Sequence, residues 1–349
     1  MALTRKMHRK KKMTRRRRLH GGGAYDGLSI LVTGGAGFIG SNIVDALLAA
    51  GAAKVRVLDN LATGKEANLE KAKGSGARFE FVKGDITNPS DCEKACSGMN
   101  IVFHEAALVS VPISMDEPIK NNDININGTL NMLIAAANAG VKRFVYASSA
   151  ATYGSLPELP KREDQPRNYP SPYALSKGVD EDYANMWAAD DTGKLGKGMT
   201  CVGLRYFNVY GPRQDPTSAY SGVISIFVDR IKKGTKITFN GDGKNTRDFV
   251  FVGDVVQANL LSGIKSLPDG QKSSVFNVGT SVAVTLLELK DTIEKIVGKE
   301  VEFGFGPARA GDIVHSVSDI SKIKNDLGYE PKYNLEQGLT LLLDSIKTD

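Results

Sequence analysis

From Leu28 onward the chain alternates short, unbroken apolar runs with helical stretches. Ser29-Ile30-Leu31-Val32-Thr33 is followed by a helical pattern from Ile39 to about Ala50, and then by Val55-Arg56-Val57-Leu58. Runs at Arg78 to Val82, Ile101 to His104, Val141 to Ala147 and Thr200 to Leu204 continue the series, separated by helical stretches such as Asn125 to Ala139. Continuous β-branched runs, as opposed to alternating ones, predict strands covered on both faces. The expected fold class is therefore α/β, a Rossmann-type doubly wound parallel sheet. After about Arg205 the rhythm changes: Pro212, Pro216, Gly222, Gly234, Gly241 and Gly243 punctuate shorter segments, a helix is predicted over Leu286 to Val297, and a Gly-rich stretch follows near Gly304 to Gly311. This predicts a smaller C-terminal domain. The expected division is a basic arm over 1–24, a large domain over 25–205 that takes back about 248–263, and a second domain made mainly of 206–349.

A hydrophobic content of 41% and a charged content of 24% are those of an ordinary globular chain. No apolar run approaches the length of a membrane span, so no membrane partner is expected. The net charge of +6 suggests nucleic acid until its distribution is considered. Ten of the positive charges (Arg5, Lys6, Arg9, Lys10, Lys11, Lys12, Arg15, Arg16, Arg17 and Arg18) precede the first acid, Asp26, and taking those ten from +6 leaves −4 for the rest. The basicity thus belongs to an arm ending in Gly21-Gly22-Gly23, which lacks apolar periodicity and is expected to be disordered. It is poor in Ser and has no apolar core of a secretory signal. No nucleic-acid partner is expected for the folded body. Cys92, Cys96 and Cys201 are an odd number with no metal-ligand spacing, so they read as small apolar fillers; no metal is expected, and a reducing, cytoplasmic location is.

Candidate chemistry begins at Thr33-Gly34-Gly35-Ala36-Gly37-Phe38-Ile39-Gly40, which satisfies Gly-x-x-Gly-x-x-Gly from Gly34. Glycine lets the chain leave the strand sharply, lets backbone N–H groups approach a pyrophosphate and lets the next helix pack closely. The helix N-terminus then faces the phosphates. Alone the string is weak, but it follows a strand, opens a helix and precedes a strand ending at Asp59. A carboxylate there accepts from both ribose hydroxyls and repels a 2′-phosphate, so the expected cofactor is NAD. Asp85-Ile86 can flank the adenine, although an Asx turn explains Asp85 equally well. Further on, Tyr173-Ala174-Leu175-Ser176-Lys177 places Tyr173 and Lys177 one helical turn apart, with Pro172 in the first turn. A tyrosine of ordinary pKa near 10 is a poor base at neutral pH, and a neighbouring ammonium stabilises its phenolate.

With these strings the chain resembles the extended short-chain dehydrogenase/reductase family over essentially everything from Leu28. The matching residues include the glycine loop, Asp59, His104-Glu105-Ala106-Ala107, Asn125-Ile126-Asn127-Gly128-Thr129, Ser148-Ser149-Ala150-Ala151-Thr152-Tyr153-Gly154, Tyr173 with Lys177, and Arg205-Tyr206-Phe207-Asn208-Val209-Tyr210-Gly211. The resemblance implies a catalytic set of Ser149, Tyr173 and Lys177, with Ser148 the alternative serine. It implies cofactor contacts from Gly34, Gly37, Phe38, Ile39, Gly40, Asp59, Asn60, Thr63, Gly64, Asp85, Ile86, Ala106, Ala107, Asn125, Tyr173, Lys177 and Tyr206.

Within the family, nucleotide-sugar 4,6-dehydratases carry Asp-Glu before Tyr-Gly and UDP-glucuronate decarboxylases a Glu; Ala150-Ala151-Thr152 has no carboxylate. The chain is most similar to UDP-sugar 4-epimerases, and among these to the UDP-N-acetylglucosamine type; UDP-glucuronate and UDP-glucose 4-epimerases are the alternatives. That similarity rests on Val109-Ser110-Val111-Pro112-Ile113-Ser114, Ser171-Pro172-Tyr173, Arg213-Gln214-Asp215-Pro216, Asn240-Gly241-Asp242-Gly243, Arg247-Asp248-Phe249 and Gly311-Asp312 with His315-Ser316. It implies a UDP-sugar bound by Ser110, Ser149, Tyr173, Asn208, Val223, Asn240, Arg247, Arg309, Asp312 and Ser316, the two arginines on the diphosphate. Ser316 falls where related epimerases carry a bulky aromatic when they are restricted to UDP-glucose and UDP-galactose. The family also implies a homodimer through two helices of the large domain. The rival expectation from another class is a non-catalytic NAD-sensing or nucleic-acid-binding protein working through its arm.

Overall fold

The computed structural model describes residues 23–215, 222–307 and 313–347. Residues 1–22 of the expected arm, and the predicted substrate residues Arg309 and Asp312, lie outside the described residues. Seven strands form one sheet: β1 (Ser29–Thr33), β2 (Lys54–Asp59), β3 (Phe79–Lys83), β4 (Ile101–His104), β5 (Arg143–Ser149), β6 (Thr200–Tyr206) and β7 (Ser273–Val278). Their spatial order is β7-β6-β5-β4-β1-β2-β3, every pair parallel. The chain winds outward in both directions from β1, so the crevice lies between the ends of β1 and β4, where Thr33 pairs with His104. In doubly wound sheets that crevice is the ligand site.

The two faces of the sheet explain the unbroken apolar runs. Along β1, Ile30 and Val32 enter one core with Ile43, Leu47, Val57 and Phe103, while Leu31 enters the opposite core with Leu58, Val102 and Phe144. This is the period of two that strand geometry imposes. The helix Val252–Ile264 packs its Val255 and Ala258 into the first of these cores. A third core stands apart from the sheet, built from Tyr210, Phe227, Phe239, Phe251, Leu289, Ile293 and Leu339. Within it the helix Leu286–Val297 starts at a capping box between Thr285 and Glu288 and stops at Gly298, whose φ of 70° is left-handed. Among the described residues no helix is long and apolar enough to cross a membrane.

Four elements depart from the sequence pattern. Strand β5 starts two residues later than expected and runs on to Ser149, and β6 runs on to Tyr206, so that Ser149 and Tyr206 face each other in register. Strand β7 is absent from the expected series; its Ser273-Ser274 start reads as a turn, and pairing with β6 makes it a strand. The Gly-rich stretch near Gly304 is in part a strand, Phe303–Gly306, paired with Ile237–Asn240. Two glycines in four residues hide a strand whose ladder comes from 66 residues away in register, Phe303 on Ile237.

Candidate active site

The glycine loop turns out of β1 at Gly34, whose φ of 64° suits glycine and whose N–H donates to Leu58 O at 2.9 Å. A Cβ on Gly34 would lie 2.7 Å from Ala106 N, and one on Gly40 only 2.3 Å from Gly34 O. These two glycines are therefore needed for strand-to-helix closure. A Cβ on Gly37 would meet little besides Gly34 O at 3.1 Å, so that position borders open space. Gly37 is also the N-cap of the helix Phe38–Ala49, with no side chain capping it and no acid in its first turn. The orphan N–H groups of that turn form a ready anion site. Asp59, buried at the end of β2, accepts from Ala36 N at 2.9 Å and Leu61 N at 2.8 Å, which ties the carboxylate to the loop. Gly64 permits the chain to pass Asp59: a Cβ there would lie 2.9 Å from its Oδ1. An uncapped helix start beside a strand-end carboxylate fits a dinucleotide with a free ribose diol.

The other residues expected on the cofactor side lie mostly in the loops that follow β2, β3 and β4. Asn60 donates to Asp85 at 2.8 Å, and Asp85 also accepts from Thr87. Burial pushes the Asp85 carboxyl up, but the hydrogen bonds from Thr87 and Asn60 outweigh it and hold it below the usual range. Ile86 packs on Gly128, Ala106 donates to Thr33 Oγ1 at 3.2 Å with Ala107 beside it, and Thr63 is exposed in the loop after β2. Phe38 and Ile39 pack against the third core, so the loop helix touches both halves of the molecule. Asn125 behaves differently. It is fully buried, and its amide is engaged by Leu108, Asn121 and Ser176. In this structure its side chain holds the backbone at Leu108 to the helix that carries Tyr173.

That helix, Pro172–Ala189, starts with Ser171 accepting from Ala174 N at 3.2 Å and Pro172 in its first turn. Tyr173 and Lys177 are both buried on it, and Lys177 Nζ lies 3.3 Å from Asp180 Oδ2. Burial pushes Asp180 up to about 6, against the pull of Lys177. The two candidate serines part company here. Ser148 turns inward and donates to Glu181 at 2.6 Å, whereas Ser149, half-buried at the end of β5, accepts from Ala151 N. Of the two serines, Ser149 is the less buried and the one not bonded to Glu181.

On the other side, Asn208 N donates to Asp248 O at 3.0 Å, and Ser316 N donates to Thr246 O at 3.2 Å, so backbone pairing brings Asn208, Arg247 and Ser316 into one neighbourhood. Arg247 Nη1 donates to Thr246 O at 2.8 Å. Ser316 is half-buried. Val223 opens the helix Val223–Lys233, Asn240 ends the strand Ile237–Asn240, and Ser110 caps the helix Val111–Asp116.

One residue of the matching strings, Glu105, has a setting that the sequence did not show. Glu105, directly after β4, accepts from Tyr206 OH at 2.9 Å, and Tyr206 in turn accepts from Asn259 at 2.7 Å. Burial pushes the Glu105 carboxyl up to about 8, although the Tyr206 hydrogen bond and the charge of Lys177 both pull it down. The same burial, helped by Lys177, holds His104 down to about 3, a neutral imidazole between Thr33 and Thr129. The signal available in the sequence was a carboxylate in the apolar string Val102 to Ala107.

A family model described as the NAD dependent epimerase/dehydratase family matches residues 30–279. A UDP-glucose 4-epimerase of Mycolicibacterium smegmatis is 40% identical over 312 residues, covering 88% of this chain and 95% of that protein. A solved UDP-N-acetylglucosamine 4-epimerase from Methanobrevibacter ruminantium, in complex with UDP-N-acetylmuramic acid, superposes with a TM-score of 0.84 at 34% identity, covering 93% of this chain and 99% of that one. A UDP-glucose 4-epimerase from Thermotoga maritima, solved with UDP-glucose, gives a TM-score of 0.83 at 38% identity over 92% of this chain and 99% of that one. The chain belongs to the NAD dependent epimerase/dehydratase family. Its cofactor is NAD, and it is an enzyme of the UDP-sugar 4-epimerase kind.

Proposed function

We propose that this chain interconverts UDP-N-acetylglucosamine and UDP-N-acetylgalactosamine by epimerisation at C4. The observation that carries the reading is the absence of any carboxylate in Ala150-Ala151-Thr152 beside Ser149, together with the small, half-buried Ser316 next to Arg247. Epimerisation needs one reversible proton transfer and no second acid at the sugar. When bound, NAD supplies the reversible two-electron oxidation at C4. Gly34, Gly37 and Gly40 with Asp59 would hold it, lined by Phe38, Ile39, Asn60, Thr63, Gly64, Asp85, Ile86, Ala106, Ala107 and Tyr206, with Asn125 shaping the wall. Tyr173 takes the 4-hydroxyl proton as phenolate, Ser149 bridges the two oxygens, and Lys177 stabilises the phenolate from one turn away. The 4-keto sugar then turns about its diphosphate, which Arg247, Arg309 and Asn208 grip, while Ser110, Val223, Asn240 and Asp312 line the rest of the nucleotide sugar. With the opposite face of C4 turned toward the place from which NAD, when bound, would give back the hydride, Tyr173 returns its proton to the 4-oxygen, and the product is the C4 epimer.

Residues 25–205 with 248–263 serve in this reading as the NAD-binding side, and 206–349 mainly as the UDP-sugar side. The protein acts as a homodimer. The deciding experiment is Ser316→Tyr, assayed on acetylated and non-acetylated UDP-hexoses. A bulky side chain is expected to lower kcat/KM for the acetylated pair by roughly 10–200-fold, the range a pocket wall commands, and to spare the other pair. Equal loss on both would refute the role of Ser316 and return the preference to UDP-glucose.

A further inference from the structure

Asn277 sits near the end of β7, fully buried, and its amide joins three segments far apart in sequence. Its Oδ1 accepts from Tyr153 OH at 2.7 Å. Its Nδ2 donates to Lys161 O at 2.8 Å and to Asp319 O at 3.2 Å, and its backbone N–H donates to Glu163 Oε1 at 2.7 Å. Each of these contacts leads to one side of the candidate site.

Tyr153 closes the short helical turn that Ser149 caps, and the Arg205 guanidinium lies 4.8 Å above its ring. Arg205 makes two bonds to Glu181, at 2.8 and 2.7 Å, and Glu181 stands one turn beyond Lys177 and takes the Ser148 hydroxyl. One end of the path is thus the strand end and helix that carry Ser149, Tyr173 and Lys177. Toward the other end, Lys161 N donates to Val317 O and Asp319 N to Lys161 O, both at 2.8 Å. The stretch 314–318 then runs on to Thr246, which exchanges backbone bonds with Val314 and Ser316 and whose hydroxyl meets His315 Nδ1 at 3.0 Å. Asp248, also fully buried, clamps that stretch by accepting from Ser318 N at 3.1 Å, besides the Ser318 hydroxyl, Thr280 and Ser281. The wall holding Ser316 and Arg247 is therefore rigid in itself. The Asn277 amide ties it to the catalytic wall, beside the backbone bonds of Lys161 to Val317 and Asp319.

We propose that Asn277 is a positioning residue of the sugar subsite, its amide setting the gap between the wall that carries Ser149 and the wall that carries Ser316. An amide suits the place because it accepts from a hydroxyl on one side and donates to two carbonyls on the other, which neither a carboxylate nor an alkyl group does. The inference rests on the reading that Ser316 faces the sugar. It assigns the width of the subsite to a residue that touches no substrate, and so predicts a change in substrate binding and in discrimination with the cofactor still in place.

The test uses the full-length enzyme with Asn277→Asp, which keeps the shape and removes both donors, and Tyr153→Phe, which removes one bond and leaves the ring under Arg205. Both are expected to retain NAD, measured as cofactor released on denaturation. KM for UDP-hexoses is expected to rise about tenfold with a smaller change in kcat, and the preference between acetylated and non-acetylated substrates to shrink. If Asn277→Asp fails to fold, Tyr153→Phe decides alone. Folded, NAD-loaded Tyr153→Phe with unchanged KM and unchanged preference overturns the proposal. Ser316→Tyr assayed alongside separates the two claims: an unaltered preference in that variant together with raised KM in Tyr153→Phe removes the Ser316 reading and leaves the positioning role standing.

Discussion

Glu105 holds a carboxyl next to Tyr206 in a cleft that desolvates it, and the consequence is a definite dependence of stability on pH. Its folded pKa of about 8 is raised above the carboxylate range, so between about 4.5 and 8 the folded state binds a proton that the unfolded state has released. Stability from this group is present below the unfolded pKa and is lost as pH rises through 8. The groups facing it do not titrate in that window: His104 is already neutral, and Tyr206 is raised well above 10. Glu105→Gln keeps an acceptor for Tyr206 and removes the titration. Thermal melts at pH 6 and pH 9 are expected to show a smaller drop for the variant than for the native chain, a difference of a few degrees; equal drops would place the alkaline loss elsewhere. For Tyr173→Phe the expectation is a fall in turnover of roughly 10²–10⁴-fold with NAD retained, the usual weight of a proton-transfer group. Glycines, Asp59 and the Tyr173/Lys177 pair were legible in the sequence because their chemistry is local, set by a turn or by one helical repeat. Glu105, Asn277 and Asp248 were not. The partners that give them meaning lie 101, 124 and 70 residues away, at Tyr206, Tyr153 and Ser318.

The helices Gly128–Asn138 and Pro172–Ala189 pack side by side, and each leaves apolar side chains outside: Ile134 on the first, Leu175 and Met186 on the second. Short helices beside them add Met115 and Ile119. Exposed apolar side chains on neighbouring helices suit an association face, and two copies meeting through these helices would cover them. Sedimentation of the native protein is expected to give the mass of two chains, and Ile134→Lys with Met186→Glu to give one chain that still carries NAD. A native monomer would contradict the dimer. At this scale the sequence was informative where the period was clean, as in the helix Leu286–Val297 and strand Ile101–His104, whose predicted and observed bounds coincide. It was silent at Ser273–Val278 and Phe303–Gly306, short segments in which Ser or Gly interrupt the apolar residues and the partner strand completes the structure.

At the scale of the whole molecule, the glycine loop and Asp59 stand at the ends of β1 and β2, Thr246 is joined by backbone bonds to Val314 and Ser316, and Phe38 and Ile39 pack the loop helix against the third core. Such an arrangement suits a cofactor that stays through many cycles, since nothing in an epimerisation consumes it. An oxidoreductase of the same family would need NAD as a passing cosubstrate. The most direct measurement is to incubate the purified full-length protein with UDP-N-acetylgalactosamine and no added NAD, and to follow the sugar nucleotides by chromatography. The account predicts UDP-N-acetylglucosamine approaching a fixed ratio with its epimer and no accumulation of oxidised sugar. Conversion that requires stoichiometric NAD and leaves a keto sugar would contradict it.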